Sequence, residues 1–429
     1  MEIMALLFGS LAVFLIIGVP IAFSVGLSLI TTIAVWGEIP MMIVFQQTYQ
    51  GLDSFTLLAL PLFILAGDLM GRVGIVDDLL RVCEVLLGRV RGSLAHANIL
   101  GSMFFAGISG SATADTAAIG GVLIPTMIKQ GYDPEFSVAV TASSSVIGPI
   151  IPPSIGFVLY GSTMAVSVSA LFFAGAVPGI LLGIALMIPT AYLSHKRHYP
   201  KNTTSYKPSQ IVRTIFHALP AIIMPVIILG GILGGIFTPT EAADIAVVYT
   251  LLIGLIYYRS LNGKIIMDYV ANAMIACGAV LLIVGFSNSF GCLVAMTQIP
   301  QAVSELLMQI TSSKYVFLLL VNLFLLAMGC VMETNAILLI CAPILAPIAA
   351  IFGVDPVHFG VIFLLNIIIG LATPPFGMCL FIATGIAKNP LEKNMKAILP
   401  FCAAEIIVLF LVTYIPDICL TLPRVLGLL

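Results

Sequence analysis

Residues 143–153 read Ser143-Ser144-Ser145-Val146-Ile147-Gly148-Pro149-Ile150-Ile151-Pro152-Pro153, and a shorter version, Gly370-Leu371-Ala372-Thr373-Pro374-Pro375, stands in the second half of the chain. Both interrupt long apolar runs. Tandem prolines remove two helix donors and clash with the preceding turn, so each stretch predicts a helix that breaks and leaves carbonyl oxygens unpartnered. One such break reads equally well as a plain kink. Two at equivalent places read as a built feature.

The equivalence is numerical. An offset of 222 residues lays Gly107 on Gly329, Pro125 on Pro347, Gly131 on Gly353, Asp133-Pro134 on Asp355-Pro356, Gly148 on Gly370 and Pro152-Pro153 on Pro374-Pro375. Matches confined to Gly, Pro and Asp carry weight because these residues dictate backbone shape. Each repeat has a second interruption upstream: Ser109-Gly110-Ser111-Ala112-Thr113-Ala114-Asp115-Thr116 in the first, Met332-Glu333-Thr334-Asn335 in the second. Small polar residues at this density propagate helix poorly and are costly in lipid. They predict a hairpin tip buried in protein, with amides and hydroxyls exposed; a small-residue packing face is the alternative. Asp115 and Glu333 favour the tip, since acids at membrane depth are functional candidates.

The whole chain supports a membrane reading. Of 429 residues only 8% are charged, and the mean hydropathy is +1.18, whereas about a quarter of an ordinary soluble domain is charged. Apolar segments run 3–18, 20–36, 53–71, 94–128, 134–164, 168–193, 215–236, 240–258, 265–296, 315–350, 357–387 and 397–427. Residues 1–18 form a retained helix rather than a signal peptide, because no basic region precedes them. Two amphipathic stretches, Arg72 to Arg91 and Pro300 to Ser313, predict helices lying in the interface. No basic block of the nucleic-acid-binding kind is present.

Basic residues set the orientation. The loop Ser194 to Arg213 holds Lys196, Arg197, Lys201, Lys207 and Arg213, which places it in the cytoplasm. Counting crossings from it puts Arg72 to Arg91, Lys129, Arg259, Lys264, Lys388, Lys393 and Lys396 on the same side. Only Lys314 and Arg424 fall outside, provided that 94–128 and 315–350 are re-entrant hairpins. The expected fold is therefore an all-α integral membrane protein of about ten spanning helices plus two re-entrant hairpins, with both termini periplasmic. The loop at Lys129 is inside and its mate near Asp355 outside, so the repeats are inverted. That arrangement is the signature of secondary transporters, whose sites lie at mid-membrane.

Unwound carbonyls facing a tip of hydroxyls make a hard, neutral oxygen cage suited to Na⁺, while half-helix N-termini suit an anion. Among tip residues, Ser111, Asp115, Thr116 and Asn335 are assigned to the substrate. Other features are weaker. The eight cysteines are scattered and read as buried free thiols. GGILGG (230–235) and GDLMG (67–71) read as helix packing, Glu241 and Asp244 as the start of a capped helix, and His358 as a loop residue. No Walker A, HExxH, GxSxG or TVGYG string occurs, which argues against ATP hydrolysis, common intramembrane enzymes and a K⁺ filter.

LPLFILAGDLMG (60–71), GISGSATADTAAIGGVLIP (107–125), IGPIIPPS (147–154), FTPTEAA (237–243) and GLATPPFG (370–377) resemble the large membrane subunit of tripartite ATP-independent periplasmic (TRAP) transporters, DctM-like, with the sialic-acid branch nearest. The resemblance covers nearly the whole chain. It implies an elevator-type transporter of the ion-transporter superfamily in the bacterial inner membrane, importing an organic acid such as sialic acid or a C4-dicarboxylate. It further implies a small Q-type membrane subunit, here a separate chain, and a periplasmic P-type binding protein.

About two coupling Na⁺ ions are implied. Ser109, Gly148, Ile151 and Pro153 would hold one, and Gly329, Thr334, Gly370, Thr373 and Pro375 the other. The implied division is scaffold and a first arm in 1–93, transport repeats in 94–164 and 315–387, scaffold and a second arm in 165–314, and a C-terminal helix in 388–429. A channel-like pore, or an exchanger working without a binding protein, is the competing reading. An intramembrane enzyme using Asp115 lacks a companion nucleophile or metal cluster, so no enzymatic activity is expected.

Overall fold

The computed structural model describes residues 2–88, 90–201 and 208–429; Met1, Arg89 and Lys207 lie outside them. The first helices are α1 (Glu2–Ile17), α2 (Ile21–Trp36), α3 (Met42–Leu52), α4 (Ala59–Val73, entered through a 3₁₀ turn at Phe55–Leu58) and α5 (Ile75–Leu87). Then follow α6 (Ser93–Ser109), α7 (Ala112–Lys129), α8 (Pro134–Ser145), α9 (Ile155–Met164) and α10 (Val168–Lys196). The middle of the chain forms α11 (Pro208–Leu233), α12 (Pro239–Leu252), α13 (Gly263–Met296) and α14 (Ile299–Ile310). The remainder forms α15 (Lys314–Gly329), α16 (Thr334–Ile351), α17 (Pro356–Gly370), α18 (Met378–Ala387), α19 (Leu391–Tyr414) and α20 (Asp417–Val425).

Seven helical stretches among the described residues are long and apolar enough to cross a membrane: 55–73, 168–196, 209–233, 239–257, 263–296, 334–351 and 391–414. Of these, α16 is an arm of a hairpin. Replacing it by α1, α2 and the broken pairs α8–α9 and α17–α18 recovers the ten spans expected. Both hairpins are present, α6–α7 and α15–α16, and both amphipathic stretches are helical, as α5 and α14.

The repeat governs the backbone. Ala112 and Lys129 bound α7, and the same offset gives Thr334 and Ile351, the bounds of α16. Pro134 and Pro356 open α8 and α17. Gly131 and Gly353 both take positive φ, and both tandem prolines are joined by a cis bond. The correspondence reaches further than the six matches of the sequence. Pro178 inside α10 falls on Pro400 inside α19, and α5 falls on α14. Each repeat is thus arm, hairpin, broken helix and long closing helix.

Packing divides the helices. α4, α11, α12 and α13 pack with one another, and α13 also carries α2 and α3. The hairpins and broken helices pack together, α7 on α8 and α18, α16 on α9 and α17. The main neighbours of α10, expected with the scaffold, are α6, α8, α9, α17, α19 and α20. The arms bridge the groups: α5 touches α6 and α11, and α14 touches α13 and α16.

The loops touch in separate groups. Arg197 Nη1 and the Tyr199 hydroxyl both donate to Asp133 Oδ2 at 2.6 Å, and Gly92 N donates to Pro200 O at 3.2 Å. The Tyr258 hydroxyl donates to Asp78 at 2.7 Å. A separate group forms where Lys314 Nζ donates to Gly353 O at 2.9 Å and the Tyr414 hydroxyl to Tyr315 O at 3.2 Å.

Two local expectations change, and one helix lies outside the expected segments. The run 397–427 is two helices, because Pro416 removes a donor and forces Ile415 out of helical geometry (φ −119, ψ 84); α20 is amphipathic and rests on α10. Residues 42–52, with Gln46, Gln47 and Gln50 among apolar neighbours, form α3. Asn288 and Ser289 of α13 hold it by donating to Gln47 O at 2.7 Å and Val44 O at 2.8 Å. His358 is no loop residue: it is buried in the first turn of α17, its Nε2 2.8 Å from Val412 O. The start of α12 is as expected, with Thr238 and Glu241 forming a reciprocal capping box.

Candidate functional site

The first tip turns at Gly110 (φ +59), where a Cβ would meet Pro153 O at 2.8 Å, so glycine alone lets the tip rest on the broken helix. Ser111 then caps α7 by accepting from Ala114 N at 3.4 Å. One turn later Asp115 points back under the tip. It is fully buried; Oδ1 accepts a short hydrogen bond from Ser109 Oγ, and Oδ2 lies against Gly148 with no hydrogen-bond partner among the described residues. The carbonyls of Gly148, Ile151 and Pro153 accept no hydrogen bond there either. Ser109 and Asp115 thus meet Gly148 of the unwound segment, whose carbonyls at Gly148, Ile151 and Pro153 keep unused lone pairs. This donor set fits a hard monovalent cation. It is not the neutral cage expected, since a carboxylate adjoins it.

The second tip is built on the same plan with other chemistry. Glu333 stands where the repeat places Ser111, and it caps α16 by accepting from Ala336 N at 3.2 Å. Its other oxygen accepts from Asn335 Nδ2 at 2.8 Å. Behind it Gly329 and Gly370 touch backbone to backbone: a Cβ on Gly329 would meet Gly370 Cα at 3.1 Å and Ile367 O at 2.7 Å. Gly370 O accepts from Thr373 N at 3.1 Å and Thr373 O from Gly377 N at 3.2 Å, while Thr373 Oγ1 donates to Ile369 O at 2.8 Å. The Gly370 and Thr373 oxygens each keep a lone pair, Gly329 lies against Gly370, and Pro375 follows in the loop. Thr334 opens α16 and turns toward the gap between the tips.

That gap is a cavity of about 100 Å³ lined by Ser111, Thr113, Glu333, Thr334 and Asn335. A larger one, about 680 Å³, lies between both tips and the helices α4 and α13. It is lined by Ser109, Ser111, Thr113, Glu333 and Asn335 on the tip side, and by Asp68, Arg72 and Tyr269 opposite. A volume of this size suits a small organic solute. Of the four residues assigned to substrate, Ser111 and Asn335 line both cavities. Asp115 and Thr116 line neither; Thr116 Oγ1 donates to Ala112 O at 2.9 Å inside its helix.

Three polar residues were missed. Asp68 was absorbed into a glycine packing motif and Arg72 into the amphipathic stretch that follows, although their four-residue spacing on one helix face is a signal. Glu405, in the middle of α19, was hidden by the apolar run around it. It is fully buried beside Ser143, and neither oxygen has a hydrogen-bond partner among the described residues.

Comparisons agree with this architecture. Residues 8–418 match the family described as tripartite ATP-independent periplasmic transporter, DctM component. The chain is 40% identical over 412 residues to the isethionate TRAP transporter permease protein DctMQ of Oleidesulfovibrio alaskensis, covering 96% of this chain and 65% of that one. It is 37% identical over 407 residues to the sialic acid TRAP transporter large permease protein SiaM of Vibrio cholerae, covering 95% of each. Among solved structures, the Alcanivorax borkumensis YdaH transporter superposes with a TM-score of 0.60 at 15% identity, covering 86% of this chain and 87% of that one. That likeness is one of fold. A multi-pass transporter permease and not an enzyme, the chain belongs to the DctM-component family of the tripartite ATP-independent periplasmic transporters.

Proposed function

We propose that this permease imports an organic acid across the bacterial inner membrane, driven by Na⁺, with both termini in the periplasm. The observation that carries the reading is the 680 Å³ cavity bounded on one side by both hairpin tips and on the other by α4 and α13. A solute held there touches both packing groups at once, which is what an elevator movement of one group past the other requires. The moving group comprises the hairpins, the broken helices and the long helices α10 and α19. Ser109, Asp115, Gly148, Ile151 and Pro153 would hold one Na⁺; Gly329, Thr334, Gly370, Thr373 and Pro375 would hold the second. One Na⁺ entering down ~100 mV supplies about 2.3 kcal/mol.

The relatives support the substrate class and the partners. Their names carry sialic acid and isethionate, both organic acids, and the name DctMQ joins a second component to this one. A small Q-type subunit and a periplasmic P-type binding protein therefore complete the transporter. The test is uptake of a panel of labelled organic acids into proteoliposomes holding this chain and the small subunit, with the binding proteins outside. We expect saturable uptake that needs an inward Na⁺ gradient. Uptake that persists with K⁺ replacing Na⁺ on both sides and follows a pH gradient would overturn the coupling, and unsaturable flux would favour the channel-like pore.

A further inference from the structure

The charges lining the large cavity narrow its ligand. Arg72 and Asp68 stand four residues apart on the cavity face of α4, both exposed to it, and neither has an ion pair or hydrogen bond among the described residues. Across from them, Glu333 is the charged residue of the tips that reaches the cavity. Its two oxygens each hold one donor, from Asn335 Nδ2 and Ala336 N, which leaves each a further lone pair to offer. The cavity therefore presents one unpaired guanidinium against two carboxylates.

Resting on the reading of the chain as an organic-acid permease, we infer that this cavity selects a monoanion carrying hydrogen-bond donors, a hydroxylated or amino-substituted carboxylate or sulfonate, over a dicarboxylate. Arg72 receives the anionic end, because a planar guanidinium offers the paired donors that a carboxylate or sulfonate accepts. A second carboxylate on the ligand would meet Glu333 or Asp68, like charge against like charge. A hydroxyl, amide N–H or ammonium at the same place finds acceptors instead. Asp68 and Glu333 thus act as a filter against dianions, and Arg72 as the anchor that makes an anion welcome at all.

Ligand binding to the detergent-purified complex of this chain with its small subunit, in Na⁺ buffer, tests the assignment by calorimetry. The probes are N-acetylneuraminate, gluconate and isethionate on one side, succinate and fumarate on the other. We expect at least one hydroxylated monoanion to bind ten-fold or more tightly than either dicarboxylate. Arg72→Gln should weaken that binding at least ten-fold and Arg72→Lys should retain part of it, with the thermal unfolding of both unliganded variants unchanged. Glu333→Gln should narrow the gap by letting succinate bind. Tighter binding of a dicarboxylate by the unaltered complex, or undiminished binding by Arg72→Gln, overturns the inference while the organic-acid reading stands. Failure of every acid of both classes to bind takes down that reading and the inference with it.

Discussion

The two halves share a backbone and divide the charge differently. Repeat one places its acid inside, where Asp115 lies under the tip against Ser109 and Gly148, and caps the tip helix with neutral Ser111. Repeat two places an apolar Ile337 at the position of Asp115 and its acid at the tip surface, where Glu333 takes the capping role of Ser111. Gly, Pro and the caps fix the fold in both halves. The side chains between them are free to diverge, and their divergence leaves a buried acid behind the first tip and puts Glu333 on the cavity side of the second. An inverted repeat of this kind conserves shape and specialises chemistry.

The sharpest way to break that contrast is to remove the inner acid. Losing one partner of a buried charge interaction costs ~3–5 kcal/mol, more than 100-fold in affinity. Asp115→Asn should therefore raise the Na⁺ concentration for half-maximal uptake by at least that factor, while thermal unfolding without Na⁺ stays close to the unaltered protein. Ile337→Val, at the matching place, should leave the Na⁺ dependence alone. Equal Na⁺ dependence in Asp115→Asn and the unaltered protein would mean that the two halves do not differ in the way described.

A smaller effect sharpens the same contrast from the other side. Thr373 brings a hydroxyl to the position where repeat one has Ile151, which brings only its carbonyl. Loss of one buried hydroxyl partner typically costs 1–3 kcal/mol, or about 5- to 150-fold. Thr373→Val should weaken Na⁺ dependence within that range, and Ile151→Val, which keeps the backbone, should not. Because Thr373 Oγ1 also donates to Ile369 O, the thermal midpoint of Thr373→Val is read beside the uptake. A larger loss in the Ile151 variant would relocate the second ion.

Much of this was legible in the sequence because it was written in residues that act on the backbone. Pro152-Pro153 and Pro374-Pro375 stop helices wherever they stand, and Gly131 and Gly353 turn the chain for reasons local to them. The extension of the repeat to Pro178 and Pro400 was equally visible, but the eye passes over isolated prolines in long apolar helices. The site was less legible. Asp115 was recognisable as an acid at depth, yet its direction depends on the packing of the tip against Gly148, a tertiary contact that spacing does not encode. Asp68 sits within a glycine motif and Arg72 opens an amphipathic stretch, and each of those readings was sufficient by itself. Glu405 is one polar residue in a window that averages as hydrophobic, so a segment-level reading conceals the group most costly to bury. The amphipathic α3 was lost for the opposite reason: a short, mixed pattern looks like loop until α13 supplies its apolar partner.

The last test concerns the loops at the two ends, where repeat mates Asp133 and Asp355 do different work. Asp355 caps its helix, accepting from Val357 N at 2.9 Å and His358 N at 3.1 Å. Asp133 makes no cap bond; it reaches Arg197 and Tyr199 beyond α10 and ties repeat one to its closing helix. Partial burial raises the Asp133 carboxyl, but hydrogen bonds from Tyr199 and Arg197 and the Arg197 charge outweigh it and hold the group below the usual carboxylate range. A folded value below the unfolded one, about 3.9, stabilises the protein above that pH and loses the contribution as pH falls through the folded value. The Asp133 side chain is 45% exposed, so the contribution is small, in the ~0–1 kcal/mol range of exposed pairs, or at most about 2 °C in Tm for a chain this long. Asp133→Asn should lower Tm by that amount at pH 7 and by less at pH 3.5, and 1 M salt should shrink the difference. Asp355→Asn should change Tm little at either pH, because asparagine caps a helix as well as aspartate does. A pH-independent loss in Asp133→Asn would show that the tie between α10 and its repeat is made by shape and not by charge.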